Sequence, residues 1–327
     1  MGEKDKSLMN IEGLKTYYTT PKGPVKAVDD CDLAIGRGEA IGLVGESGSG
    51  KTTLGLSIMK LVSPPGKIMS GKIFFENEDL VQKSESDMAD IRGSKIAMVY
   101  QEPMTALNPV FRIGDQVAEV IVRHQRISKK KALEKALTVM ESVLIPSAKE
   151  RAKDFPHQFS GGMRQRIVMA MALACDPKLV IADEPTSMID LISQAQIVGL
   201  FKNLKSKLKT SILYITHDLG LVAELCDRVV VMYSGKIMEV SDIYSLFDNP
   251  AHPYTQALLK SIPRVDKPAK DLVTIPGSVP DLINTPRGCR YWPRCEFAQG
   301  YCKENEPKLL KLEENQKAAC FRAREIH

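Results

Sequence analysis

GESGSGKTT at 45–53 follows the apolar run EAIGLVG at 39–45 and opens KTTLGLSIMKLV at 51–62, whose composition is that of a helix. A strand that turns through glycines into a helix start is built to hold an anion. Gly45, Gly48 and Gly50 let successive backbone N–H groups converge without Cβ clashes, and the helix N-terminus adds a favourable dipole. Gly45, Gly50, Lys51 and Thr52 match the spacing GxxxxGK[ST]. In that pattern the lysine bridges the β- and γ-phosphates of a nucleotide and the hydroxyl ligates Mg²⁺. Ser47, Ser49 and Thr53 belong to the same loop and are expected to contact the phosphates.

Outward from this loop, LVIADEP at 179–185 reads as a central buried strand that delivers Asp183 to its end. A carboxylate there holds Mg²⁺ through water. Glu184 follows at once and suits a base that orients or deprotonates an attacking water. His217 comes after the strand SILYIT at 211–216 and is expected near the γ-phosphate.

The rest of the chain alternates in the same manner. Residues 8–45 read as strands with turns at 20–24 and 36–38, and further strands are expected at 72–80, 95–101, 178–183 and 228–233. From about 103 to 177 the pattern is helical: Ser128 opens one helix, with Leu133, Leu137, Met140 and Leu144 at helical spacing, and Gly161-Gly162 opens another. A further helix is expected near 193–208. Such alternation implies a mainly parallel sheet covered on both faces. After about residue 248 prolines recur and no long periodic element is visible, which reads as a loop-rich appendage requiring a staple.

Composition narrows the class. The 327 residues carry 43% apolar and 26% charged side chains, and the net charge of +5 is spread along the chain as on an ordinary solvated surface. The longest apolar stretch, IVMAMALAC at 167–175, is about half of what a bilayer-spanning helix needs. MGEKDKSLMN at the start is a polar tail without the apolar core of a signal peptide, so the expected location is the cytoplasm. Cys31, Cys175 and Cys226 read as buried small hydrophobes.

Taken with Gln101 and FSGGM at 159–163, these motifs resemble an ABC-type ATPase across roughly residues 8–248. The resemblance implies an α/β fold, with a P-loop ATPase core, an antiparallel β subdomain, a helical subdomain at about 103–177 and a loop-rich C-terminal extension at 249–327. It implies that Gln101 contacts Mg²⁺ or the attacking water, and that Tyr18, with Tyr17 as its rival, stacks on adenine. Ser160, Gly161 and Gly162 would grip the γ-phosphate of ATP bound to a second subunit, homologous or identical. Met163 stands where the commoner signature has an amide, and Met188-Ile189 replaces the usual Ala-Leu before Asp190. A guanine-reading NKxD motif and a long coiled-coil insertion are both missing from the sequence, which disfavours a GTPase and a nucleic-acid-maintenance ABC protein.

HQFSGGMRQR at 157–166, QEPMTALNP at 101–109 and NPAHPYTQALLKSIP at 249–263 resemble ATPases of the dipeptide and oligopeptide importer family. That resemblance implies import of peptides, or of nickel or another small solute as in close relatives. It implies two transmembrane permease subunits as partners, a solute-binding protein outside the membrane, no nucleic acid, and a peripheral position on the inner membrane face.

Cys289, Cys295, Cys302 and Cys320 fall in the extension as C-x5-C-x6-C-x17-C. A disulfide is disfavoured in the cytosol, and the gaps are wider than those usual for structural Zn²⁺. Four thiolates can instead hold a [4Fe–4S] cluster, which the importer resemblance implies; Zn²⁺ and free thiols remain the alternatives. Arg287, Arg290 and Arg294 are placed to offset thiolate charge.

Overall fold

The computed structural model describes residues 7–262 and 274–325. The first six residues of the polar tail, and the prolines at 263 and 268, lie outside them. In chain order the strands are β1 (Ser7–Thr20), β2 (Gly23–Gly36), β3 (Ala40–Val44), β4 (Gly66–Phe75), β5 (Glu78–Asp79) and β6 (Ile96–Val99). They continue with β7 (Leu179–Asp183), β8 (Ser211–Ile215), β9 (Arg228–Tyr233), β10 (Lys236–Asp242), β11 (Leu310–Lys311) and β12 (Lys317–Ala318). Two compact units divide the chain. One is formed mainly by Gln82–Ile215, the other mainly by Met9–Ala34, Ile41–Val81 and the residues from Thr216 onward.

In the first unit β7 lies between β6 and β8, all parallel, with Leu179 opposite Ile96 and Ser211. Every residue of the three strands is buried. Burial on both faces is why LVIAD and SILYI are continuous apolar runs and do not alternate. Helices at Ile113–Gln125, Lys129–Ser142, Gly161–Leu173 and Leu191–Asn203 accompany the sheet. Three of the four open on side-chain caps: Ser128 accepts from the Lys131 N–H, Ser160 from Met163 and Asp190 from Ser193. Each such cap satisfies an orphan donor and contributes about 1 kcal/mol.

The buried stripe of the helix after Ser128 is Ala132, Ala136 and Met140, one position before the expected Leu133 and Leu137. Leu144 lies past the helix end at φ 62° and is 53% exposed. The helical spacing holds and Met140 is buried as part of it, while Leu133 and Leu137 flank the stripe half-buried.

The second unit carries two sheets. One is antiparallel in the order β2-β1-β4-β5, with Met9 opposite Phe75 and Tyr18 opposite Gly66. In the other, the unit's strands run β11-β12-β10-β9-β3. β3 is parallel to β9, and the remaining pairs are antiparallel. β3 is wholly buried, and a Cβ on Gly42 would stand 2.4 Å from Val222, so the helix Leu219–Leu225 packs directly on it.

The C-terminal extension is more ordered than its prolines suggest. It contains the helix Pro253–Lys260, and β12 joins β10 through Glu239 opposite Ala318. Ala251, Ala318 and Ala323 form a small core with Leu312 and Cys320 packed against it. At its centre Glu239 is fully buried and accepts from Ala251 N and His252 N at 2.9 Å and from Gln316 Nε2 at 3.1 Å. This buried carboxylate staples the extension to the sheet. Among the described residues no helix is long and apolar enough to cross a membrane.

Candidate nucleotide-binding elements and cysteine cavity

In the second unit the phosphate loop leaves β3 at Gly45, whose φ is 151° and whose hypothetical Cβ would lie 2.0 Å from Met232 O. Gly50, at φ 103°, is equally constrained, with Ala27 O at 1.9 Å. Neither site can accept a side chain without moving backbone. Ser49 N donates to Glu46 O at 3.2 Å, and Gly235 N donates to Ser49 O at 2.9 Å, which closes the loop and ties it to the turn after β9. Lys51 is 5% exposed. Its Nζ donates to Gly45 O at 2.8 Å, Glu46 O at 3.0 Å and Ser49 Oγ at 3.3 Å, so the cation sits in the hollow of the loop. Ser47, Gly48 and Thr52 face solvent, while Ser49 is buried and Thr53 half-buried.

The two candidate tyrosines separate clearly. Tyr17 donates its hydroxyl to Asp29 at 2.5 Å, and burial together with that carboxylate pushes the phenol pKa up. Tyr18 lies on the loop side instead, its hydroxyl 3.5 Å from Thr53 Oγ1. His217 is exposed on a well-anchored segment: Thr216 N donates to Leu43 O at 3.1 Å, and Asp218 caps the helix that follows.

In the first unit, β7 ends in Asp183, which is 5% exposed. Glu184 follows at φ 44°, and its N–H donates to Ile215 O at 2.9 Å. A non-glycine residue at positive φ costs on the order of 1–3 kcal/mol, so the surrounding structure holds Glu184 against strain. Gln101, just beyond β6, donates from Nε2 to Glu184 Oε2 at 3.1 Å. Two motifs 83 residues apart in sequence thereby meet.

Ser160 and Gly161 are exposed at the start of their helix. Gly162 is buried because a Cβ there would stand 2.4 Å from Ser193 Oγ on the neighbouring helix. Met188, Leu191 and Ile192 are 68%, 80% and 75% exposed. The bulkier Met188 therefore projects outward and displaces nothing in the core.

Cys289, Cys295, Cys302 and Cys320 line one small cavity, of about 20 Å³, together with His252, Trp292 and Phe321. Burial pushes the Cys289 thiol up to about 12 and Cys295 up to about 11, and neighbouring cysteines add to both shifts. His252 is buried, accepts at Nδ1 from Tyr254 N at 3.0 Å, and has no partner at Nε2. Among the described residues no three His, Cys, Asp or Glu side chains converge as ligands of a single metal ion would. The four thiols therefore share one small cavity, with the His252 ring at its wall.

Two of these three arginines are paired away from the thiols. Arg290 pairs with Asp29 and donates to Ser234 O at 2.8 Å, and Arg294 pairs with Glu46 of the phosphate loop. Arg287 is exposed. These long-range pairs leave no local pattern, and sequence reading missed them.

The family described as "ABC transporter" matches residues 28–187, and "Oligopeptide/dipeptide transporter, C-terminal region" matches 238–302. The oligopeptide transport ATP-binding protein AppD of Bacillus subtilis is 48% identical over 316 residues, covering 96% of each chain. OppD of Salmonella typhimurium, with the same description, is 42% identical over 96% of this chain and 93% of its own. Among solved structures, the dimeric cassette MJ0796 bound to ADP and Pi aligns with a TM-score of 0.66 at 24% identity, over 72% of this chain and 98% of that one. That likeness shows the ABC ATPase cassette fold. With such identity over nearly the full length of both proteins, the chain belongs to the family of oligopeptide transport ATP-binding proteins of ABC transporters.

Proposed function

We propose that this chain is the ATP-hydrolysing subunit of an ABC importer that takes up di- and oligopeptides. The observation that carries the reading is the phosphate loop with the Lys51 ammonium held in its hollow. The extension supports peptides as the cargo, because residues 238–302 match the peptide-transporter C-terminal region. The functional divisions are a nucleotide-binding domain at 1–248, with its helical part at about 103–177, and an importer-type extension at 249–327.

The roles follow from the chemistry of each residue. Gly45, Ser47, Gly48, Ser49, Gly50 and Thr53 cradle the phosphates, and Lys51 bridges the β and γ groups. Thr52, Asp183 and Gln101 would hold Mg²⁺, which when bound would neutralise phosphate charge. Glu184 takes the proton of the attacking water as its oxygen bonds to the γ-phosphorus and ADP leaves. The hydrogen bond from Gln101 aims that carboxylate. His217 meets the γ-phosphate, and Tyr18 stacks on adenine. Ser160, Gly161 and Gly162 serve the nucleotide of a partner ATPase, in keeping with the exposure of Ser160 and Gly161.

Two permease subunits are the membrane partners. They dock on the region after Gln101, where Val110 and Phe111 are 71% and 55% exposed, and this holds the protein on the inner membrane face. Cargo reaches them from a solute-binding protein outside.

The four cysteines are proposed ligands of a [4Fe–4S] cluster, supported by their shared cavity. When bound, the cluster would supply a rigid crosslink between four points of the extension. Anaerobic purification should yield a brown protein with acid-labile sulfide, whereas a colourless sample with stoichiometric zinc overturns this part.

The cargo reading is tested by co-purifying the membrane and solute-binding subunits and titrating the latter with tri- to pentapeptides. Peptide-stimulated ATPase in the reconstituted complex is the expected result. Stimulation by nickel alone, or co-purification with nucleic-acid-maintenance proteins, contradicts it.

A further inference from the structure

Glu46, the second residue of the phosphate loop, is held by two residues of the C-terminal extension, Tyr254 and Arg294. Its N–H donates to Tyr254 Oη at 2.9 Å. Its carboxylate receives Arg294 in a two-pronged pair, Nη1 to Oε2 at 2.7 Å and Nη2 to Oε1 at 3.1 Å. The remaining Arg294 donors are also engaged: Nε with Pro276 O at 2.8 Å, Nη1 with Tyr233 Oη at 3.3 Å and Nη2 with Ile275 O at 3.2 Å. All five N–H groups of the guanidinium thus have acceptors, and the side chain is only 3% exposed. Planar, bidentate geometry of this kind is the strong form of a carboxylate pair.

On its inner side the same residue touches the phosphate-loop lysine, since Glu46 O accepts from Lys51 Nζ at 3.0 Å. A glutamate one residue into a phosphate loop is an electrostatic hazard. Released, the carboxylate would sit on the same residue whose carbonyl holds the Lys51 ammonium, where it can compete with phosphates for that cation.

We infer that Arg294 is a positioning residue for ATP binding: it sequesters the Glu46 carboxylate and so leaves Lys51 available to the phosphates. The inference rests on the reading of 45–53 as the ATP loop. It assigns the extension a task at the nucleotide, one residue from Cys295. Arg290, next to Cys289, reinforces the same region: it holds Ser234 O, and Gly235 N in turn donates to Ser49 O.

The test is a second-site rescue measured as MgATP affinity of the full chain by calorimetry. Arg294→Ala should raise Kd about tenfold or more, because the Glu46 carboxylate it releases competes with the phosphates for Lys51. Glu46→Gln alone should stay within about threefold of wild type, and the double variant Arg294→Ala/Glu46→Gln should return to about that level, since no carboxylate remains to compete. A purely structural role for Arg294 predicts that the double variant binds as poorly as Arg294→Ala, and that result overturns the proposal. So does unchanged affinity in Arg294→Ala. If Arg294→Ala does not fold, Arg294→Lys with and without Glu46→Gln carries the same comparison, the fork being lost and the charge kept. Lys51→Ala separates the two readings: if it binds MgATP normally, the loop assignment fails whatever Arg294 does.

Discussion

Gln101 Nε2 lies 3.1 Å from Glu184 Oε2, joining the end of β6 to the end of β7. A carboxylate that acts as base needs a fixed direction, and the amide supplies it. Gln101→Ala should lower kcat roughly tenfold and weaken MgATP binding by less, because the contact orients the base while Lys51 and the loop still hold the phosphates. Steady-state kinetics with a parallel binding titration separate the two effects; an equal loss in both would assign Gln101 to binding.

Gly50 offers a steric test of the loop. Its Cβ would lie 1.9 Å from Ala27 O at φ 103°, so Gly50→Ala should cost roughly 2–4 kcal/mol of stability and abolish nucleotide binding. Gly48, also at positive φ, has nothing within 4 Å of its Cβ, and Gly48→Ala should cost only the backbone strain, on the order of 1 kcal/mol. Denaturant melts of the two variants rank them, and equal losses would mean that backbone strain alone governs the loop.

This contrast also explains what the sequence reveals. The phosphate loop, the run LVIAD and the Ser128 cap are local patterns, and each is set within a few residues by sterics, burial or one hydrogen bond. Their elements stand within a few positions of where the pattern puts them. The extension follows another logic. β12 is two residues long and has no period to detect, and the helix Pro253–Lys260 is short and begins in a proline-bearing segment. Glu46 and Arg294 are separated by 248 residues, so nothing near either one announces the other. Gln101 and Glu184 are each recognisable as motifs, yet the hydrogen bond between them depends on the parallel pairing that brings β6 beside β7.

Glu239 gives the extension a pH signature. Burial raises its carboxyl pKa despite the donors around it. A carboxyl raised in the fold favours the folded state at low pH and gives up that stability as pH rises through the folded-state value. Stability against pH should therefore carry a falling component from the ordinary carboxylate range upward, which Glu239→Gln removes. Glu239→Leu should be worse at every pH, by roughly 2–5 kcal/mol, because three buried donors lose their acceptor. Thermal melts across pH with both variants check this, and an unchanged slope in Glu239→Gln would refute the assignment.

Lys51→Ala should weaken MgATP binding by at least about tenfold, given that its ammonium is the buried cation of the loop. Equilibrium dialysis with labelled ATP measures it, and an unaltered Kd would place the phosphates elsewhere.

Hydrolysis through Glu184 is decided by Glu184→Gln, assayed for turnover and for MgATP binding in the same preparation. ATP should bind as in wild type while phosphate release falls by at least about a hundredfold, since the amide accepts no proton. Turnover at the wild-type rate in that variant would contradict it.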